Sequence, residues 1–219
     1  MTSDRPSRLW TLWLPLGLAV ALAGLGKFAA GWYDAWMNDE RGGVELAQWL
    51  VLAAAVVVAL RLLARPELRR RPALLAWVAL AGLACFYVAG EEISWGQHLA
   101  HWNTPDYWRA INDQGETNLH NTSSWFDQKP RTLLELGVIV GGLLGPALRR
   151  LRPQALRGAI DLMTPLAATL PLAAIAEFAG LDKRLGLDLF FRPSEVQELY
   201  FYLFALAYLL VLDARTRGR

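Results

Sequence analysis

The residues best suited to chemistry are concentrated in one polar stretch of an otherwise apolar chain. Residues 90–121, GEEISWGQHLAHWNTPDYWRAINDQGETNLHN, contain all three histidines together with several carboxylates and amides. Carboxylate and imidazole side chains bind zinc, iron or manganese, and they also serve as general acids and bases. The stretch therefore predicts either a divalent-metal centre or an acid/base site, and the spacing leaves both open.

Candidate roles in and near this stretch follow from side-chain chemistry. The candidate catalytic residues are Glu92, Ser94, Glu116 and His120. The candidate metal ligands are Glu91, Glu92, Glu116 and His120. The further predicted site-lining residues are Glu45, Gln97, His98, Asn118, Asn121, Glu177 and Glu198. No cofactor other than a divalent metal is indicated, because the sequence contains no P-loop, no G-x-G-x-x-G and no H-E-x-x-H motif.

Two local arrangements would bring these side chains together. If the preceding apolar helix continues outward, Glu91, Ser94 and His98 recur at i, i+3 and i+7 on one helix face. A helical turn between Glu116 and His120 would likewise place those two side chains one turn apart. The alternative is an interfacial loop whose polar side chains only bond one another, with tryptophans as membrane-interface anchors.

Six long apolar segments must position this stretch. The chain has 219 residues, of which 54% are hydrophobic, and a mean hydropathy of +0.24. A helix rising 1.5 Å per residue needs roughly 20 apolar residues to cross a hydrocarbon core about 30 Å thick. The predicted spans are approximately 9–30, 44–63, 73–95, 132–148, 158–180 and 195–212, with an outer loop at 98–131. The sequence therefore predicts an all-α fold, a single-domain integral membrane helical bundle.

Arginines mark one side of the predicted membrane. The connections after the second and fourth spans and both chain ends are densely basic, whereas the intervening connections are mixed or acidic. Positive charge near span ends stays on the cytoplasmic side, so we expect both termini in the cytoplasm and the chain in a bacterial cytoplasmic (inner) membrane. The net charge of +2 then reflects the membrane topology, with basic loops that meet anionic lipid head groups. Nucleic acid is not an expected partner.

Several carboxylates lie at the outer ends of the predicted spans. Glu91, Glu92 and Glu177 are flanked by apolar residues, which predicts that they point into the bundle. Glu45 and Glu195 instead open their helices, where an acidic side chain also suits the helix N-terminus. For the first three, a purely structural role in pairing helices is the alternative to a functional one.

Two segments of the polar stretch form a signature. GEEISWGQ at 90–97 and QGETNLHN at 114–121 resemble a widespread group of bacterial polytopic membrane proteins of uncharacterised activity, and DERGGVELAQWL around Glu45 is similar to the same group. The resemblance implies a helical membrane fold and no particular activity. In that group an arginine often follows the GQ, where this chain has His98. A looser likeness to alkaline-ceramidase-type membrane hydrolases rests on the S-x-x-x-H spacing of Ser94 and His98, without the later H-x-x-x-H pair of those enzymes.

Two functional classes are compatible with this pattern. As an enzyme, the chain would hold a metal or an activated water in an outer-leaflet pocket and act on a lipid-linked or amphipathic substrate. As a transporter or an accessory or assembly subunit, it would use the same carboxylates to bind a proton, an ion or a protein partner. Convergence of the candidate metal ligands on one point would favour the enzyme, whereas a file of Glu45, Glu92 and Glu177 would favour transport.

Overall fold

The fold is a bundle of long helices, as the hydropathy pattern predicts. The computed structural model describes residues 7–29, 31–34 and 43–217, without the side chains of residues 98, 99, 124 and 127. Within these ranges there is no β-strand, and six helices are long and apolar enough to cross a membrane, which confirms the predicted all-α bundle. The spanning helices are α1 (Leu9–Phe28), α2 (Gly43–Leu63), α3 (Pro72–Glu92), α4 (Gln128–Leu151), α5 (Gly158–Leu185) and α6 (Pro193–Thr216).

Helix α6 lies at the centre of the bundle. In the most apolar part of α6, 56% of the residues are buried inside the protein, whereas only 11% are buried in the corresponding part of α1. It packs against α2 and α5, and α2 packs in turn against α3. Tyr200 and Phe201 of α6 are fully buried, and Gly142 of α4 lets the helices approach closely where it meets Phe204. Because lipid tails are as apolar as the helices, close packing at such small residues contributes much of their association.

Helix α1 lies at the edge of the bundle and is held by two tyrosines. The Tyr200 hydroxyl donates a 2.6 Å hydrogen bond to the Pro15 carbonyl. Beyond the outer end of α1, Tyr33 is fully buried, with its ring centroid 5.7 Å from that of Phe191. Burial raises the pKa of Tyr33 to about 12, so its hydroxyl stays neutral at physiological pH.

Helix α3 ends earlier than the sequence predicts. We predict a span to residue 95, but the α-helix stops at Glu92. Ser94, Trp95 and Gly96 follow with positive φ angles of 46°, 55° and 100°. Glycine adopts this conformation at little cost, whereas the two residues before it need contacts that hold them there. The prediction that Glu91, Ser94 and His98 share one helix face is therefore wrong, because the helix does not continue past Glu92.

The last three spanning helices are longer than predicted. They extend past 132–148, 158–180 and 195–212 because charged residues such as Lys183 and Arg184 continue the helices beyond the apolar runs. Helical structure in α4 already begins before the span, with Ser124–Gly137, a π-helical stretch Val138–Leu144 and a final segment Gly145–Leu151. The outer loop begins earlier than predicted and contains the short helices Gln97–Ala100, Asp106–Ile111 and His120–Thr122.

Helix α5 is interrupted where its prolines predict. Its first part, Gly158–Met163, ends in the extended residue Thr164, and a 3₁₀ turn at Ala167–Thr169 leads into the second part, Leu170–Leu185. Thr164 precedes Pro165, whose ring disfavours helical geometry in the residue before it. The break leaves backbone carbonyls without helical partners inside the bundle.

Side chains satisfy the carbonyls at this break. Arg149 donates to the carbonyls of Asp161 and Thr164 at 2.7 and 3.1 Å, and its guanidinium also pairs with the Asp161 carboxylate. Arg215 donates to the carbonyls of Leu162 and Thr164 at 3.0 and 3.2 Å and to Asp161 at 2.9 Å. Irregular backbone at membrane depth needs such partners, because lipid offers none.

The basic connections share one end of the bundle. Arg65, after α2, pairs with Asp213 near the end of α6, and Arg217 donates to the same carboxylate. Arg149, at the end of α4, meets Arg215 of α6 across Asp161. The basic residues after α2 and α4 therefore lie beside the C-terminal end of α6, and the carboxylates described next lie at the opposite end. The assignment of this basic end to the cytoplasm stays an expectation from the charge rule.

Candidate functional site

The turn after α3 is stabilised by Trp95. Its indole ring folds back on α3, where a Cβ on Gly90 would lie only 2.8 Å from the ring, so glycine is required at that position. The indole Nε1 donates a 2.7 Å hydrogen bond to Glu91, and the ring makes edge contacts with Phe86 and Tyr87. These contacts hold the left-handed residues of the turn in place.

Glu91 joins the turn to the second signature segment. It is 5% exposed, and its Oε2 accepts the backbone N–H groups of Leu119 and His120 at 2.7 and 2.9 Å. The Nδ1 of His120 lies 3.4 Å from the same oxygen, while Trp95 occupies Oε1. The carboxylate therefore faces four donors, three of them at close hydrogen-bond distance.

Ser94 and Glu116 form the second junction between the two segments. The Ser94 hydroxyl, fully buried, donates to Glu116 Oε2 at 2.5 Å. Asn118 Nδ2 donates to the same carboxylate oxygen at 2.7 Å and to Ser94 at 3.0 Å, and Asn112 bonds Asn118 in turn. The Ser94 hydroxyl is thus fully enclosed between Glu116 and Asn118 and is not open to a substrate at the surface.

Gln97 completes the attachment. Its side-chain oxygen accepts from the Thr117 amide and hydroxyl, both at 2.9 Å, and its Nε2 donates to Thr104 at 2.6 Å. Asn121 bonds Gln114 in the same loop. We call the folded unit formed by residues 90–97 and 112–122 the outer cap. Its two halves contain the GEEISWGQ and QGETNLHN segments, which these hydrogen bonds hold together.

Glu92 points away from the outer cap and into the bundle. Its Oε1 accepts a 2.7 Å hydrogen bond from the hydroxyl of Tyr202, a residue of α6 that is 5% exposed. Tyr202 lies nine residues after Pro193, roughly 13 Å along the helix axis from the start of α6. Among the residues that the structure describes, no arginine or lysine pairs with Glu92.

Further polar groups surround the α6 end of this contact. Glu198 pairs with Arg131 of α4 at 2.9 Å, and Glu195 lies one turn above it. Gln48 of α2, fully buried, donates from Nε2 to the Glu195 carbonyl at 3.2 Å. Its Oε1 is a buried atom without a hydrogen-bond partner in the described part of the chain. The region beside Glu92 is thus rich in hydrogen-bond acceptors.

The four predicted metal ligands do not converge. Glu91 and His120 lie together, Glu116 turns to Ser94, and Glu92 turns to α6. Residues 116–119 are not helical, so the predicted helical turn between Glu116 and His120 is absent. Within the described ranges, no group of three histidine, cysteine, aspartate or glutamate side chains is arranged to hold a metal. The metal centre stays a prediction, without support from the donor geometry.

The other predicted site residues are distributed between several places. Asn118, Asn121 and Gln97 belong to the outer cap, and Glu198 belongs to the α6 face near Glu92. The side chain of His98 lies outside the described residues, and Glu45 is partly buried at the start of α2. Glu177 lies elsewhere, on α5 beside Glu135 of α4.

Sequence reasoning missed four polar residues of this region. Gln48, Arg131, Gln197 and Tyr202 carry hydrogen bonds between helices at the outer end of the bundle. A signal was present, because glutamine and tyrosine within long apolar runs need partners in a membrane. The identity of those partners depends on helix rotation, which hydropathy does not encode.

Comparisons with known proteins give no relative for this chain. No protein-family model, curated protein or solved structure matches it. The resemblance of the two signature segments to uncharacterised bacterial membrane proteins therefore stays a prediction.

Two surface grooves lie away from the outer cap and from Glu92. One, between α1 and α5, is lined by apolar residues such as Leu16 and Phe178 with Lys27 at its rim. The other lies at the basic end, beside Arg71 and Asp161. Neither groove is lined by residues of the outer cap or by Glu92.

Proposed function

We propose that this protein binds and releases a proton at Glu92, as a transporter or accessory subunit whose activity is coupled to protons. The observation that supports this most is the contact of the Glu92 carboxylate with Tyr202 inside the bundle, with no cationic partner among the described residues. A carboxylate at membrane depth is costly unless its charge is neutralised, and such groups commonly mark proton or ion pathways.

Tyr202 suits both protonation states of Glu92. A tyrosine hydroxyl is both a donor and an acceptor, so it can donate to the carboxylate and accept from the protonated carboxyl. The 2.7 Å contact can therefore persist when the proton arrives or leaves, with only the hydroxyl hydrogen turning. A site of this kind exchanges a proton without rearranging the helices.

An acceptor-rich face connects Glu92 to the outer end of the bundle. Glu195, Glu198 and Tyr202 recur at i, i+3 and i+7 on α6, so they lie one above another on one face. The unpartnered Oε1 of Gln48 lies beside the Glu195 backbone. The charged groups facing Glu92 in this region are Glu91, Glu195 and Glu198, and Arg131 neutralises the last of these.

A proton fits this site better than a metal cation. Divalent cations such as Ca²⁺ and Mg²⁺ take about six or more oxygen ligands. Glu92 offers one carboxylate and a tyrosine hydroxyl, and the described carboxylates do not gather into a metal-binding group. One carboxylate and one hydroxyl are enough for a proton.

A hydrophobic carbodiimide tests this proposal chemically. Such reagents react with protonated carboxyls in apolar surroundings, since the acid O–H adds across the C=N bond and leaves a stable adduct on the side chain. We expect peptide mapping by mass spectrometry to find the adduct on Glu92 in detergent-purified protein, with labelling that falls as the pH is raised.

The matched control is Glu67, an exposed glutamate at the basic end of the bundle. We expect no adduct on it under the same conditions, because its side chain is exposed to water and is not enclosed in apolar surroundings. If Glu92 stays unlabelled at every pH while a denatured sample labels normally, the proposal is wrong.

A second candidate function rests on the pairing of His120 with Glu91. The imidazole is 38% exposed on its side chain, and Glu91 lies 3.4 Å from Nδ1, which leaves Nε2 available for acid/base chemistry. This arrangement would suit an enzyme acting on a lipid-linked or amphipathic substrate at the membrane surface.

A substrate panel distinguishes this second candidate. Lipid-linked phosphates and lipid esters would be incubated with wild type, His120→Ala and His101→Ala, and products followed by mass spectrometry. The enzyme hypothesis expects turnover that His120→Ala loses at least 100-fold and that His101→Ala, a change at an exposed neighbouring histidine, retains. Equal turnover in all three proteins, or none in any, would reject it.

A further inference from the structure

Two carboxyl groups meet between α4 and α5. Glu177 of α5 and Glu135 of α4 approach each other to hydrogen-bonding contact. Arg184 donates a 2.7 Å hydrogen bond to Glu135 Oε1 and is itself about half exposed at the outer surface. One arginine balances one negative charge, so the second carboxylate of the pair needs another partner.

Two buried atoms without hydrogen-bond partners in the described part of the chain, one on α5 and one on α6, lie at the same face of α5. Glu177 Oε1, an acceptor, has no hydrogen-bond partner in the described part of the chain, and neither does Gln197 Nε2, a donor. Gln197 is 3% exposed and rests on Gly180, where a Cβ would lie 2.3 Å from Nε2. Gly180 is three residues after Glu177, so the glutamine amide points at the helix face that carries the carboxylate.

We propose that Glu135 and Glu177 form a second proton-binding site, in which the two carboxyls share one proton and a water molecule joins Glu177 Oε1 to Gln197 Nε2. The proton comes from water at the outer surface, where Arg184 and Glu135 are partly exposed. With one proton bound, the pair carries a single negative charge, which Arg184 balances. A water suits these two atoms chemically because it can donate to the carboxyl oxygen and accept from the amide.

The Glu135–Glu177 site is separate from Glu92, although Arg131 and Glu198 lie near both sites. The ionisable groups that face it are Glu135 and Arg131 of α4, Arg184 of α5 and Glu198 of α6. Arg131 stands between the two proposed proton sites, because it pairs with Glu198 at 2.9 Å and approaches Gln197 Oε1 at 3.5 Å. The inference does not depend on Glu92 binding a proton.

Infrared difference spectroscopy between acidic and neutral pH tests the inference in the full chain, because a protonated carboxyl gives its own C=O stretching band. In a Glu92→Gln background we expect such a band to persist. Either Glu177→Gln or Glu135→Gln, added to that background, should remove the component of the band that comes from the shared proton. Glu67→Gln, added instead, should leave it unchanged, since Glu67 is exposed.

The outcomes separate the two proton sites. A band that survives both Glu177→Gln and Glu135→Gln in folded protein would overturn this inference and leave Glu92 unaffected. A band that disappears with Glu177→Gln but does not respond to Glu92→Gln in an otherwise wild-type chain would support this inference and reject the proposal for Glu92. Using two separate variants protects the test against one of them failing to fold.

Gly180 provides a test of the proposed water. Gly180→Ala places a Cβ against Gln197 Nε2 and should shift the frequency of the band, because the amide must move away from the water. Gly137→Ala is the matched control, since a Cβ there meets nothing within 4 Å. Gln197→Met, which removes the donor and keeps the length of the side chain, should give the same shift. If the band frequency is unchanged in both Gly180→Ala and Gln197→Met, the bridging water is rejected.

Discussion

Glu91→Ala is expected to lower the free energy of unfolding by about 3 kcal/mol, the largest loss among the substitutions considered. The change leaves the backbone N–H groups of Leu119 and His120 and the indole N–H of Trp95 without an acceptor. Each unpaired buried donor is costly, and hydrogen bonds to a charged acceptor are stronger than neutral ones. Denaturant titration of the purified protein in mixed micelles measures the loss.

Glu67→Ala is the matched control for this result. Glu67 is exposed, so its removal should change stability by no more than about 0.5 kcal/mol. Glu91→Gln should fall between the two, since an amide oxygen still accepts from the backbone but without the charge. A loss below about 1 kcal/mol for Glu91→Ala would mean that the outer cap does not depend on this carboxylate.

Arg215→Ala is expected to lower the free energy of unfolding by about 2 kcal/mol. It removes the donors to the Leu162 and Thr164 carbonyls at the break in α5 and one of the two partners of Asp161. The same denaturant titration measures it. Because the break lies at the basic end, the outer-end infrared bands should be unchanged.

Two further variants calibrate this prediction. Arg215→Lys keeps the charge but replaces a planar fork of donors with a single ammonium, so it should recover only part of the loss. Arg69→Ala removes an exposed arginine at the same end and should be close to neutral. Equal stability of Arg215→Ala and Arg69→Ala would show that other groups satisfy the broken helix.

Much of the fold could be predicted because long apolar runs have few alternatives in a membrane. The number of spans, the interruption of α5 at Pro165 and the concentration of basic residues at one end all follow from local sequence. The boundaries of α4, α5 and α6 were less predictable, because helices continue through charged residues that hydropathy assigns to loops.

The sequence predicted where the candidate site lies, but not which of its side chains bond to one another. Adjacent residues on a helix point about 100° apart, so Glu91 faces the outer cap while Glu92 faces α6. Ser94 and Trp95 adopt left-handed backbone conformations just after the end of α3, and only Gly96 signals this in the sequence. As a result, residues predicted to share one centre belong to three separate groups of hydrogen bonds.

The division of roles between the two glutamates gives the GEE of the first signature segment a physical meaning. Gly90 admits the Trp95 ring, Glu91 binds the second segment, and Glu92 lies against Tyr202. A structural residue and the proposed proton-binding residue are therefore consecutive. Substitutions at Glu91 should mainly lower the free energy of unfolding. The isosteric Glu92→Gln should instead abolish proton binding with little effect on stability.

The most direct test of proton binding at Glu92 is a pH-difference infrared spectrum of the wild-type protein compared with Glu92→Gln and Tyr202→Phe. We predict a protonated-carboxyl band in wild type, a component of which is missing in Glu92→Gln and shifted to higher frequency in Tyr202→Phe, because the hydroxyl no longer bonds the carboxyl. Identical spectra for wild type and a folded Glu92→Gln would show that Glu92 does not exchange a proton, and would contradict the account.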